Sequence, residues 1–189
     1  MRRARLMLML VCLLAAACAA PQRSSRMTTE DFQEMAEAMA QSLLRSEALA
    51  QRGPQSEPWV VSIDHVRNLS SDVMTQAEQW AIMADLRGSL PIQALWDQKN
   101  IRFVLPPQRV AQIRSRDAAD EFDASFASQR QPTHTMTATF RSVTRASPDG
   151  RGRIDWYYCE FQILELATGQ TVWTDRFEYK RQAHGHVWD

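Results

Sequence analysis

The sequence predicts an α/β fold in which a mixed sheet, ending in a three-stranded antiparallel meander, packs with helices as a two-layer or three-layer sandwich. Two observations carry this prediction. Residues 154–166 and 171–181 are β-rich runs joined through a turn that contains Gly169, which is the signal of a hairpin. Upstream of them, segments with helical spacing alternate with short apolar runs, and these helices can cover the apolar face of the hairpin.

The start of the chain is typical of an exported protein. Basic residues within 1–5 precede an apolar run at 6–17, which is shorter than the ~20 residues that a membrane-spanning helix needs. Residues 14–18, Leu-Ala-Ala-Ala-Cys, resemble the lipobox of bacterial lipoproteins, in which the cysteine is acylated and becomes the first residue of the mature chain. We therefore expect lipidation of Cys18.

This start defines the domain organisation. We expect a lipoprotein signal peptide at 1–17, the lipidated cysteine with a short tether at 18–27, and one periplasmic α/β domain at 28–189. An ordinary signal cleaved near Ala20 is the alternative. Ala19 is not the aspartate that retains lipoproteins in the inner membrane of enteric bacteria, so the expected location is the outer membrane, lipid-anchored, on its periplasmic face.

Charge and cysteine content exclude some classes of function. The chain has 22 basic and 22 acidic residues, and loss of Arg2, Arg3 and Arg5 with the signal would leave a net charge of about minus three. Such a balance does not indicate a nucleic-acid partner. With Cys12 removed in the signal peptide and Cys18 acylated, Cys159 has no cysteine to pair with, and its place on the apolar face of a strand predicts a buried thiol that is not reactive.

The segment before the hairpin begins with a predicted helix. Thr28 and Asp31 have the spacing of a capping box, and the helix should run to about Arg52. Its methionines, Met35 and Met39, fit a core-facing stripe better than an adaptable partner groove. The next predicted elements are a strand at 59–63, a polar loop at 66–72, a helix from about 74 to 88, a short helix through 96, a strand at 101–105, helices around 110–114 and 122–126, and a strand at 133–143.

The final hairpin should have an apolar face and a polar face. Alternation places Tyr157, Cys159 and Phe161 on one side of its first strand, and Trp156 and Tyr158 on the other. The hairpin shows no nucleophile, base or phosphate-binding loop, so composition and spacing alone do not name an activity.

Several parts of the chain together resemble a known family. They are the lipoprotein cysteine, the leading helix, the strand at 61–66 followed by Arg67 and Asn68, and the closing hairpin at 164–173. These residues resemble the penicillin-binding protein activator lipoproteins of the LpoB type, whose fold is similar to the amino-terminal domain of TolB. The match spans most of residues 28–181 in order of elements, whereas residues 88–132 depart from it.

The resemblance implies a protein that acts by binding and not by catalysis. Its implied partner is a class A peptidoglycan synthase, a penicillin-binding protein, whose activity it would raise in the periplasm. Arg141, Trp156 and Tyr158 are the candidate partner-binding residues, because exposed aromatic and arginine side chains tend to anchor interfaces. The alternative is that the two aromatics lie under a helix. No cofactor and no small-molecule substrate are implied.

Two other functions remain open. The first is an envelope scaffold, or a secretion or assembly lipoprotein, with the same anchor and fold but a different partner. The second is an enzyme or metal binder, for which only His184, His186 and Asp189 in the tail offer ligands, without a third ligand at helical spacing. We therefore expect neither enzymatic activity nor a metal site. His65 and His134 are expected to be hydrogen-bonded structural histidines.

Overall fold

The protein is described from a computed structural model, which covers residues 25–106, 109–110, 131–148 and 152–184. Its helices and strands follow one another in the order α1, α2, β1, α3, α4, β2, β3, β4, β5. The helices are α1 (Thr29–Arg45), α2 (Glu47–Ala50), α3 (Gln76–Gly88) and α4 (Ile92–Lys99), and the strands are β1 (Trp59–Asn68), β2 (Ile101–Val104), β3 (His134–Ala146), β4 (Gly152–Glu165) and β5 (Thr171–His184).

The strands form one five-stranded sheet in the order β2-β1-β3-β4-β5. Strand β1 is parallel to both β2 and β3. Strands β3, β4 and β5 follow one another through short connections, which can join only antiparallel neighbours, because a parallel crossover needs a dozen or more residues. The predicted α/β fold, with a mixed sheet that ends in an antiparallel meander, is confirmed.

Contacts along the chain divide it into two compact units. The described residues of the smaller unit are 25–26, 144–148, 152–156 and 180–184. Those of the larger unit are 27–106, 109–110, 131–143 and 157–179. In the part of the chain that the structure describes, every helix is too short or too polar to cross a bilayer.

The core of the larger unit lies between its helices and one face of its strands. The predicted methionine stripe of α1 is buried there, as is the predicted apolar face of β4. Phe140 on β3 joins the two, since its ring contacts Phe32 edge-on and stacks on Tyr157. The largest fully buried side chains are Tyr157, Phe140, Phe161, Met35, Leu43, Ile82, Met83, Leu86, Ile101, Met136, Ile163 and Val61.

The first helix ends earlier than predicted. It stops at Arg45, and the extended Ser46 caps a separate four-residue helix by accepting a hydrogen bond from the backbone N–H of Leu49. The prediction of one helix to about Arg52 is therefore wrong, because a serine side chain can satisfy a free helical N–H and restart the helix without any glycine or proline.

Strand β1 is longer than predicted. The prediction of a polar loop that begins at Val66 is wrong at its start, because the strand continues to Asn68. Its pairing with β3 shifts register between Ile63 and Val66, and such an irregularity breaks the alternation by which a strand is recognised. Of the helices expected around 110–114 and 122–126, only Val110 is described, and it is helical; the rest lie outside the described residues.

Helix α3 begins at a complete capping box. The Thr75 hydroxyl accepts from the Glu78 N–H at 3.2 Å, and the Glu78 carboxylate accepts from the Thr75 N–H at 2.6 Å. Hydrogen bonds from Thr75 lower the pKa of Glu78. We expect Thr75→Ala to lower the free energy of unfolding by about 1 kcal/mol, measured by urea denaturation. Gln98→Ala, at an exposed site in α4, should change it by less than about 0.5 kcal/mol; equal losses would contradict the role of the cap.

Candidate protein-binding surfaces

The larger unit has a polar sheet face that points away from its buried core. On β3, Met136, Ala138 and Phe140 point into the core, and the residues between them point to the other side. Two side-chain contacts between β3 and β4 lie on this face. Gln162 donates to the Thr137 hydroxyl at 3.3 Å, and Arg141 lies 3.8 Å from the Glu160 carboxylate. We call this surface the polar face; it comprises Thr135, Thr137, Thr139, Arg141, Tyr158, Glu160 and Gln162.

Two of the three candidate partner-binding residues lie on the polar face. The side chain of Arg141 is 43% exposed and that of its partner Glu160 is 51% exposed. An ion pair in such a position contributes at most about 1 kcal/mol, so Arg141 can exchange Glu160 for a carboxylate on another protein at little cost. Tyr158 is half-buried on the same side of β4. Partner binding by these residues stays a prediction.

The third candidate, Trp156, belongs to the smaller unit. Its ring is 40% exposed, and the ammonium group of Lys180 lies 5.0 Å from the ring centroid. A cation at this distance from an indole ring is attracted by its π electrons. The sequence does not predict this contact, because it depends on which residues of β4 and β5 lie opposite each other.

A buried carboxylate organises the smaller unit. Asp155 is 1% exposed and accepts hydrogen bonds from Arg153 at 2.6 Å, from Thr144 at 2.5 Å and from the hydroxyl of Ser25. Burial raises the pKa of Asp155, but the hydrogen bonds from Ser25, Thr144 and Arg153 and the charge of Arg153 together hold it below its usual value. The carboxylate is therefore ionised at neutral pH. Sequence reasoning missed this group, because Ser25 is 130 positions away from Asp155.

The larger unit also contains an open cleft of about 550 Å³. His65 lines it, with its Nδ1 atom 2.7 Å from the Asp64 carboxylate and its ring centroid 5.4 Å from that of Trp80. The guanidinium group of Arg109 lies 5.2 Å from the centroid of the Trp80 ring. His65 is thus hydrogen-bonded, as expected. The cleft offers an aromatic surface, Trp80, beside one carboxylate, one imidazole and one guanidinium group.

Two other predictions concern buried groups, and both are confirmed. His134 is buried, its Nδ1 lies 2.8 Å from the Thr133 hydroxyl, and its ring packs against Trp59. Burial lowers the pKa of His134, so the imidazole is neutral at pH 7. Burial raises the pKa of Cys159 far above its usual value, which keeps it a thiol.

Some candidate residues lie outside the part of the chain that the structure describes. Cys18, His186 and Asp189 lie outside the described residues, and His184 is described only as the last residue of β5. Within the described ranges, no group of three or more histidine, cysteine, aspartate or glutamate side chains is placed to hold a metal ion. Lipidation of Cys18 therefore stays a prediction.

The fold is an α/β domain, and two of its three candidate binding residues, Arg141 and Trp156, are about 40% exposed and so accessible to a partner. The family described as peptidoglycan-synthase activator LpoB matches residues 31–179. This chain belongs to the LpoB family, as its resemblance predicted. The family is one of activators and not of enzymes.

Solved structures give matches of low sequence identity. The carboxy-terminal domain of LpoB from Escherichia coli is 13% identical, with 79% of this chain and 98% of that one covered and a TM-score of 0.46. The same domain from Salmonella enterica is 11% identical, with coverage of 79% and 98% and a TM-score of 0.44. Lipoprotein GNA1162 from Neisseria meningitidis is 12% identical, with coverage of 66% and 84% and a TM-score of 0.38. A comparison with curated proteins gives no match.

Proposed function

We propose that this protein is an outer-membrane lipoprotein that binds a class A peptidoglycan synthase from the periplasmic side and raises its activity. The observation that carries the proposal is the family match, which extends from α1 to β5 and so includes the helices and strands that form the larger unit. Cys18 supplies the anchor in this proposal, and the action is binding, without a cofactor or a small-molecule substrate.

The polar face is the proposed docking surface. One end of this face combines a weakly paired arginine, Arg141, with an aromatic side chain, Tyr158, and these two residue types are enriched where interfaces gain most of their free energy. The rest of the face offers hydroxyl and amide groups, such as Thr137 and Gln162, that can exchange their mutual hydrogen bond for bonds to a partner. A partner with an acidic side chain facing Arg141 fits this surface best.

Substitution on the polar face tests the docking surface. We expect Arg141→Ala combined with Tyr158→Ala to weaken binding to a purified class A synthase by about 30-fold or more, because each side chain is of a kind that contributes about 1 kcal/mol or more at an interface. Titration calorimetry gives the affinity. The control is Arg87→Ala in the last turn of α3, an exposed arginine outside the polar face, which should leave the affinity within about twofold.

An activity assay separates binding from activation. Addition of this protein should raise the rate of glycan-chain polymerisation by the synthase, and the double variant should need a correspondingly higher concentration for the same effect. A synthase that neither binds nor responds would contradict the proposal. If the synthase does not bind, and light scattering shows that this protein forms a large assembly instead of a monomer, the alternative of an envelope scaffold is favoured.

A further inference from the structure

The described residues of the two units carry net charges of opposite sign. Among the described residues of the smaller unit there are five basic side chains and one acidic side chain, Asp155, which is buried and bonded to Arg153. The larger unit has fifteen acidic and nine basic side chains among its described residues. The small overall charge of the chain therefore conceals a basic unit. Its basic residues are Arg26, Arg145, Arg153, Lys180 and Arg181.

Contacts within the smaller unit place Arg145 and Trp156 on a common face. Thr144 and Asp155 are hydrogen-bonded across β3 and β4, so their side chains point to the same side of the sheet. Their neighbours Arg145 and Trp156 point to the opposite side, because side chains alternate along a strand. Lys180 contacts the Trp156 ring and so belongs to this face, and all three side chains are exposed. We call Arg145, Trp156 and Lys180 the basic face.

The smaller unit also holds the chain close to the expected anchor. Ser25 is fully buried and bonded to Asp155, so the chain is fixed to this unit from Ser25 onward. Ser25 follows Cys18 by seven positions, a distance that an extended chain spans in at most about 25 Å. A lipid on Cys18 would keep the smaller unit within that distance of the bilayer surface.

We propose that the basic face binds anionic phospholipid headgroups of the membrane. Arg145 and Lys180 supply positive charge for the phosphates, and Trp156 supplies an amphipathic ring of the kind that concentrates at the membrane interface. The acidic larger unit is repelled by the same surface. This inference deepens the proposed function, on which it rests for the anchor at Cys18.

Vesicle binding tests the basic face without the anchor and without a synthase. The chain from Ala19 to Asp189 retains every described residue of both units and is mixed with vesicles of phosphatidylethanolamine and phosphatidylglycerol, or of phosphatidylcholine alone. We expect sedimentation with the anionic vesicles only, and weaker binding as salt is added. Arg145→Gln with Lys180→Gln should lower the partition coefficient by about 25-fold, about fivefold for each charge removed.

A matched control removes the same number of charges from the other unit. Arg45→Gln with Arg87→Gln replaces two exposed arginines in helices α1 and α3 of the larger unit and should leave vesicle binding within about twofold. Thermal unfolding of each variant confirms that it is folded. Equal losses in the two pairs, or no binding to anionic vesicles, would overturn the proposal. Retention on purified cell-wall sacculi but not on vesicles would assign the face to the cell wall and would also overturn it.

Fluorescence locates the indole ring. Bromine atoms on the lipid chains should quench part of the tryptophan emission of the bound protein, and Trp156→Phe should remove that part. Unchanged quenching in the variant would contradict contact of this ring with lipid. Failure of this inference is distinguishable from failure of the proposed function, because vesicle binding is measured without the anchor and without a synthase, whereas mass analysis of Cys18 and the synthase titration test the proposed function.

Discussion

Replacement of Phe140 by alanine is expected to lower the free energy of unfolding by about 3 to 5 kcal/mol, the largest effect of any substitution considered for this protein. The Phe140 side chain is 1% exposed, and its ring centroid lies 5.9 Å from that of Phe32 and 5.7 Å from that of Tyr157. Alanine removes both aromatic contacts, one to α1 and one to β4, and leaves a cavity where helix and sheet meet. Denaturant unfolding followed by circular dichroism measures the loss.

Two variants show whether packing is the cause. Phe140→Leu keeps much of the side-chain volume and should cost less than about half as much as the alanine variant. Val143→Ala, on the same strand but 38% exposed, should cost less than about 1 kcal/mol. A loss at Phe140 no larger than that at Val143 would show that this ring does not join helix and sheet as described.

Asp155→Asn is expected to destabilise the smaller unit by about 3 kcal/mol at neutral pH. The wild-type carboxylate accepts from three donors, and the amide of asparagine turns an N–H group toward some of them. The buried Ser25 hydroxyl and the guanidinium group of Arg153 share one acceptor, the Asp155 Oδ2 atom, and an amide nitrogen in its place cannot accept from either. Amide hydrogen exchange within 152–156, compared between the two proteins, measures the loss in this unit.

The cost of Asp155→Asn should depend on pH in a defined direction. The folded-state pKa of Asp155 lies below its usual value, which is about 3.9 in an unfolded chain. The ionised group therefore contributes its full stability above that unfolded value, and the contribution is lost as the pH falls through the folded pKa. The difference between wild type and variant should be constant from pH 7 to about pH 5 and should shrink below about pH 4.

Ser25→Ala separates the anchoring contact from the rest of the network. It removes one of the three hydrogen bonds to Asp155 and should cost about 1 to 2 kcal/mol, less than Asp155→Asn. For Asp155→Asn, a difference in stability from the wild type that stays constant down to pH 2 would contradict the assignment of an ionised carboxylate. If Ser25→Ala has no effect while Asp155→Asn does, the chain before Met27 is not held by this unit.

Local patterns predicted the parts of the fold in which burial alternates regularly. On β4, residues 157, 159, 161 and 163 are buried because a strand with one face against helices must alternate, and that requirement is written in the sequence. The end of the first helix was misplaced at Arg52 because Ser46 caps by a side-chain hydrogen bond, which has no strong composition signal. The predicted strand β1 was too short, because it ended where the register with β3 shifts.

For the candidate binding residues, too, the local pattern gives one part and the tertiary structure the rest. Alternation places Arg141 and Tyr158 on the polar side of their strands, so residue type and period were enough to find them. Their exposure depends on which face the helices cover. The sequence did not indicate roles for Lys180 and Ser25, because each contacts a residue distant in sequence. Lys180 contacts Trp156, and Ser25 contacts Asp155.

The sequence by itself determined the fold class, the order of the strands along the chain, the buried face of the hairpin and the family, because these depend on local periodicity and residue type. Only the tertiary structure decided which distant groups meet: Ser25 with Asp155, and the two strand residues Trp156 and Lys180. It also decided that positive charge gathers in the smaller unit. The physical reason is that hydrogen bonds and charges act over a few ångströms in space, whatever the separation of their residues along the chain.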